Sequence, residues 1–149
     1  MPRRLMIGTV LAVVLCASAG AASQYGTPAE AKAMLEKAVT AVKADKSKAL
    51  AMFNKGEGGF RDRDLQPFCF QLSDGKVVAS TTGRLGNDIR NNVDKNGKHF
   101  GEELYEKAVE GKIGEVSYFF PRPGASDPVP KTTYVTAIDG LGCGVGFYR

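Results

Sequence analysis

The side chains with the widest chemical reach stand in the last third of the chain. Tyr118 lies in Glu115-Val116-Ser117-Tyr118-Phe119-Phe120, Arg122 follows between Pro121 and Pro123, and Lys131 and Tyr134 stand in Pro130-Lys131-Thr132-Thr133-Tyr134. Side chains alternate between the faces of a strand, so Val116, Tyr118 and Phe120 share one face. Aromatic walls with a few convergent polar groups are the chemistry of a small-molecule pocket. A Lys beside them suits a carboxylate, because an ionised donor makes the stronger hydrogen bond. Lys131 and Tyr134 differ in parity, so both reach one pocket only if Lys131 precedes the strand proper or a bulge intervenes. Arg122, on a rigid loop, is a candidate lid residue, and Arg61 could clamp a carboxylate by its fork. The alternating run Arg61-Asp62-Arg63-Asp64 also reads as a solvated loop with local ion pairs.

Catalytic constellations are thin. His99 is the only His, so a Ser-His-Asp or Cys-His site would have to be built on a residue in the polar turn beside Gly97 and Lys98. Asp94-Lys95-Asn96-Gly97 opens like a calcium loop, but Tyr105 occupies the twelfth position where a bidentate Glu is needed. It reads as a turn. Glu102 and Glu103 are adjacent on a helix and do not face each other. No catalytic residue, metal or cofactor is therefore expected, and the chain is not expected to be an enzyme.

The N-terminus sets the compartment. Arg3 and Arg4, an apolar run from Leu5 to Leu15 and small residues at Ala17-Ser18-Ala19-Gly20-Ala21-Ala22 follow the plan of a cleaved signal peptide over residues 1–22. An uncleaved anchor would need about 20 consecutive apolar residues. Cleavage removes Cys16 and lowers the net charge from +4 to +2. The remaining lysines are scattered, so no nucleic-acid footprint is present. An exported chain retains Cys69 and Cys143, either as one disulfide or as two separately buried thiols. A bridge would stabilise the fold by about 4 kcal/mol in the chain-entropy model.

These residues must be positioned by a chain of 149, enough for one domain. Thr27-Pro28-Ala29-Glu30 has the form of a helix N-terminus, with Thr27 as cap and Pro28 in the first turn. Ala31, Met34, Leu35, Ala38, Val39 and Val42 recur at helical spacing. A second short helix, or a kinked continuation, runs to about Asn54, where Gly56-Glu57-Gly58-Gly59 stops it. Phe68 to Leu72 and Val77 to Ser80 form a hairpin around Asp74-Gly75. Phe100 to Glu110 reads as a helix ended by Gly111. Glu115 to Phe120, Lys131 to Ile138 and Leu141 to Tyr148 read as strands. Helix, two strands, helix, three strands argues for an α+β fold, an antiparallel sheet with the helices collected on one side. Gly140, Gly142, Gly144 and Gly146 leave one face of the last strand bare, which signals close approach of a helix or a ligand.

The ordered set Gly59-Phe60-Arg61-Asp62-Arg63-Asp64-Leu65, Phe68-Cys69-Phe70, Ser73-Asp74-Gly75-Lys76-Val77-Val78-Ala79, Leu85-Gly86-Asn87-Asp88-Ile89, Asp94 to Lys98, Glu115 to Pro123 and Pro130 to Val135 resembles a small single Cache domain, Cache type 2. The resemblance spans residues 23–149. It implies a PAS-like antiparallel sheet of about five strands with a long N-terminal helix on one side. It also implies a periplasmic sensor in signal transduction or chemotaxis, binding a small organic acid or amino acid. Typical members feed a kinase or chemoreceptor signalling domain, whereas this sequence stops at Arg149, immediately after the last strand. The expectation is a free sensor module that works through a membrane receptor or kinase. A protein-interaction or structural module of the same fold is the alternative.

Overall fold

The computed structural model describes residues 23–149, so the expected signal peptide and Cys16 lie outside the described residues. Helix α1 (Pro28–Ala44) starts as its sequence dictates: the Thr27 hydroxyl accepts from the Glu30 N–H at 3.2 Å, and the Glu30 carboxylate accepts from the Thr27 N–H at 2.8 Å. This reciprocal pair satisfies two orphan donors of the first turn. Asp45 leaves helical geometry and its carboxylate caps Lys48 N–H at 3.0 Å. α2 (Lys46–Lys55) is therefore a separate helix, closed by Gly56 in the left-handed region at φ 66.

Strands β1 (Pro67–Gln71), β2 (Val77–Ala79), β3 (Gly114–Pro121), β4 (Pro128–Ile138) and β5 (Leu141–Tyr148) form one sheet in the order β2-β1-β5-β4-β3. Every neighbouring pair is antiparallel. β1 and β5 bring Cys69 directly opposite Cys143, where a disulfide joins them with 4.1 Å between Cα atoms. Both sulfurs lie in the core between α1, α2 and the sheet, among Leu35, Phe53 and Val145.

The helices are not collected on one side. α1 and α2 cover one face, while α3 (Phe100–Lys107) and a short 3-10 turn at Ile89–Asn91 cover the other. The second face has its own apolar set, Phe70, Val116, Val135 and Ala137, and so demands its own cover. α3 also ends earlier than Gly111. The Val109 carbonyl accepts from Ala137 N–H at 3.4 Å and from the Thr136 hydroxyl at 3.1 Å, which draws residues 108–110 out of the helix and along β4. Among the described residues, no helix is long and apolar enough to cross a membrane.

Candidate ligand cavity

The site lies on the α3 face of the sheet, where β3, β4, the start of β1 and the loop after β2 surround a cavity of about 70 Å³. Its wall is an aromatic cluster. Tyr118 of β3 stacks on Phe100 of α3 with ring centroids 4.0 Å apart, and Phe120 meets both rings edge-on at 6.1 Å. The Tyr118 hydroxyl is tethered to Thr133 Oγ1 at 2.7 Å. Burial pushes the phenol up to about 12 against the opposing effect of that hydrogen bond, so Tyr118 acts as a neutral hydrogen-bonding wall.

Two cations close the cavity. Lys131 Nζ sits 4.8 Å from the Phe120 ring centroid and 4.9 Å from that of Tyr148, and it makes neither a hydrogen bond nor an ion pair among the described residues. Its pKa is pushed down to about 8, first by burial and then by the charge of Arg84, with Asp64 acting in the opposite sense. It remains mostly protonated at neutral pH. The Arg84 guanidinium lies 4.6 Å from the centroid of the same Phe120 ring, and among the described residues it donates to the neutral Asn92 Oδ1 at 3.2 Å and to no other side chain. Cation–π contact partly offsets the desolvation of these charges without neutralising them. Gln66, held by the Thr81 hydroxyl, completes the rim.

A second chamber of about 220 Å³ continues outward and shares Gln66, Thr82, Arg84, Phe120 and Lys131 with the first. Arg122 borders it, stacked between Tyr25 at 4.2 Å and Tyr148 at 5.2 Å. Asp64 also lines it, with one carboxylate oxygen accepting from Gly26 N–H at 2.7 Å. The Tyr148 hydroxyl donates to the Pro121 carbonyl at 2.6 Å, and burial raises its pKa.

The bare face of β5 is occupied by side chains from its two neighbours. A Cβ at Gly142 would stand 2.3 Å from the Phe70 ring, one at Gly144 2.7 Å from the Phe68 ring, and one at Gly146 2.2 Å from Lys131 Cε. The glycines thus let Phe68, Phe70 and Lys131 lie flat across the strand, and they set the depth of the cavity floor.

Of the residues singled out in the sequence, Tyr118, Phe120 and Lys131 converge on the inner chamber, and Arg122 stands in the outer one. Tyr134 does not join them. It lies on the opposite face, its ring 5.4 Å from that of Phe147, because β4 runs through Lys131 without a bulge and the two residues keep opposite parity. Arg61 is exposed beside Gly56 and lines neither chamber. Its neighbour Arg63 is committed to Asp62 at 2.9 Å, Glu30 at 2.8 Å and the carbonyls of Ser23 and Tyr25. Sequence reasoning passed over Arg84, Phe100 and Asp64. Arg84 carried a readable signal: a lone cation in Thr81-Thr82-Gly83-Arg84-Leu85-Gly86-Asn87, with no acidic residue within three positions on either side.

Fold and cavity together define a PAS-like domain, a five-stranded antiparallel sheet whose α3 face carries a small cationic, aromatic-walled chamber. A family model described as Single Cache domain 2 matches residues 7–148, and the chain belongs to that family. Three solved structures share the fold. A methyl-accepting chemotaxis protein from Vibrio parahaemolyticus is 20% identical with a TM-score of 0.66, the match covering 80% of this chain and 86% of that one. A periplasmic sensor domain of a chemotaxis protein is 24% identical with a TM-score of 0.59, covering 78% and 86%. A Cache chemosensory domain, described as showing the structural basis for carboxylic acid recognition, is 25% identical with a TM-score of 0.56, covering 78% and 84%.

Proposed function

We propose that this chain is a periplasmic ligand sensor, exported by a signal peptide over residues 1–22, whose domain at 23–149 binds a short carboxylate and passes the signal to a membrane receptor or kinase. It acts by binding, with no reaction of its own. The observation that carries this reading is the pair Arg84 and Lys131, set against one ring with no acidic partner for either among the described residues. Two part-buried cations without an ion-pair partner among the described residues are costly to hold together, and a carboxylate offsets that cost with charge-assisted hydrogen bonds. The apolar walls at Phe68, Phe100 and Tyr118 would take a short alkyl tail. The carboxylic acid recognition described for the 25% identical Cache domain supports the same ligand class.

Calorimetric titration of the purified protein with propionate tests the reading. Saturable binding is expected, and Lys131→Met and Arg84→Gln should each weaken it by about 10-fold to 100-fold, the range of one charged hydrogen bond. Binding that both variants retain unchanged would remove these residues from the site.

A further inference from the structure

The outer strands of the sheet, β2 and β3, each present an edge, and a row of unpaired N–H and C=O groups along an edge is a template for another chain. In an antiparallel ladder those outward groups belong to alternate residues. Pro130, opposite Phe119, has no N–H and gives its carbonyl to the Arg149 N–H at 3.1 Å. Pro130 therefore faces β5, and Phe119 turns its main-chain groups outward, with Ser117 and Glu115 in step.

Side chains occupy this edge. Lys107 Nζ donates to the Glu115 carbonyl at 2.9 Å, Lys98 Nζ donates to the Ser117 carbonyl at 2.6 Å, and the Phe119 N–H donates to Asp94 Oδ2 at 3.1 Å. Glu103 holds both ammoniums, Lys98 at 2.9 Å and Lys107 at 3.0 Å. Asp94 is aimed by its other oxygen, which accepts from the N–H groups of Asn96 and Lys98 at 2.9 Å and 3.0 Å. The turn that opens like a calcium loop thus spends its first carboxylate on main chain. The β2 edge is closed by other means: Asn54 of α2 accepts from the Ser80 N–H at 2.8 Å and donates to the Val78 carbonyl at 3.2 Å, and Val77 bonds the main chain of Gly86 and Asn87. Exposed ion pairs such as those of Glu103 stabilise a fold little. Their effect here is positional, since they hold two donors on successive outward carbonyls of one strand.

We propose that Asp94, Lys98 and Lys107, braced by Glu103, seal the β3 edge against a second copy of this chain. Strand addition needs the Glu115 and Ser117 carbonyls as acceptors and the Phe119 N–H as donor, and all three are taken. The strand excluded is another β3. Antiparallel pairing of β3 with itself, centred on Ser117, closes a two-fold interface. It sets Glu115 of each copy opposite Phe119 of the other, beside Lys95, whose Nζ lies 4.2 Å from the Phe119 ring centroid. With the seal in place, a partner must be met by the helices and loops.

Sedimentation velocity on the purified protein over a concentration series, wild type against Lys98→Ala/Lys107→Ala, tests the seal. The double variant should reach about two-fold the wild-type mass at the top of the series, as a two-fold pair requires. Hydrogen exchange should then show the outward amides of Glu115 and Ser117 newly protected. Adding Glu115→Pro, which removes an outward donor and suits an edge strand, should return the mass to the wild-type value. Should the double variant not fold, Lys98→Ala and Lys107→Ala singly are read in the same way and should associate at higher concentration. Variants that keep the wild-type mass, with those amides exchanging as in the wild type, would overturn the proposal. Association that survives Glu115→Pro, or wild-type protein already paired through β3, would overturn it equally.

Discussion

Lys131 lies across Gly146. The two residues sit on neighbouring strands, and a Cβ at Gly146 would stand 2.2 Å from Lys131 Cε and 3.2 Å from its Nζ. The glycine is therefore the floor on which the ammonium rests against Phe120, and Gly146→Ala must lift the lysine tip away. A lysine tip moves at little cost, but the added Cβ would also stand 2.7 Å from Oγ1 of the fully buried Thr133, which the Tyr118 hydroxyl holds, so stability should fall by about 1–3 kcal/mol. Carboxylate affinity should fall by about 10-fold. Thermal unfolding and propionate titration of the same sample separate the two effects; unchanged affinity would mean that Lys131 does not need this resting place.

Gly142 faces a ring instead of a lysine tip. Its added Cβ would stand 2.3 Å from the Phe70 ring, and Phe70 is fully buried. A packed ring cannot swing aside as a lysine tip can. Gly142→Ala should cost about 1–3 kcal/mol, the usual range for overpacking, read as a lower urea midpoint at unchanged slope.

The pH dependence of stability has a definite sign. The folded chain holds the Lys131 pKa near 8, below its ordinary 10.5, so between those values the unfolded chain keeps a proton that the folded chain has released. Stability rises with pH wherever the unfolded state binds more protons. Tyr118 acts in the other direction: its phenol is pushed up to about 12 from 10.0, so above pH 10 the folded chain keeps a proton the unfolded chain loses, and stability falls. Tyr148 adds to that fall. Urea unfolding from about pH 7 to about pH 11 should show a rise and then a decline, with the rise absent in Lys131→Met. A wild-type profile that falls steadily across the window would contradict the buried environment assigned to Lys131.

Removing the disulfide should leave the cavity alone. Cys69 and Cys143 belong to the core beneath α1 and α2, on the face opposite Tyr118 and Phe100, and they are 74 positions apart in sequence. Replacing both with Ala should cost about 2–5 kcal/mol of stability. Propionate affinity should stay within about two-fold, since sites without shared partners are close to independent. A large loss of affinity would show that the two faces are coupled through β5.

Local chemistry and periodicity in the sequence determined the elements of this fold and the aromatic face of β3. Thr27 to Glu30 form a capping box because its four residue types meet within one turn, and Tyr118 and Phe120 share a face because a strand alternates. The opposite parity of Lys131 and Tyr134 was legible for the same reason. Packing decided the rest. That α3 would cover the second face depended on which side each strand turned toward which helix, and no local pattern carries that information. The meeting of Arg84 with Lys131 over Phe120, and of Asp64 with Arg122 in the lining of the outer chamber, joins residues 47 and 58 positions apart. Their spacing along the chain carries no trace of it; the order β2-β1-β5-β4-β3 sets them side by side, because pairing β1 with β5 folds the first half of the domain onto the last.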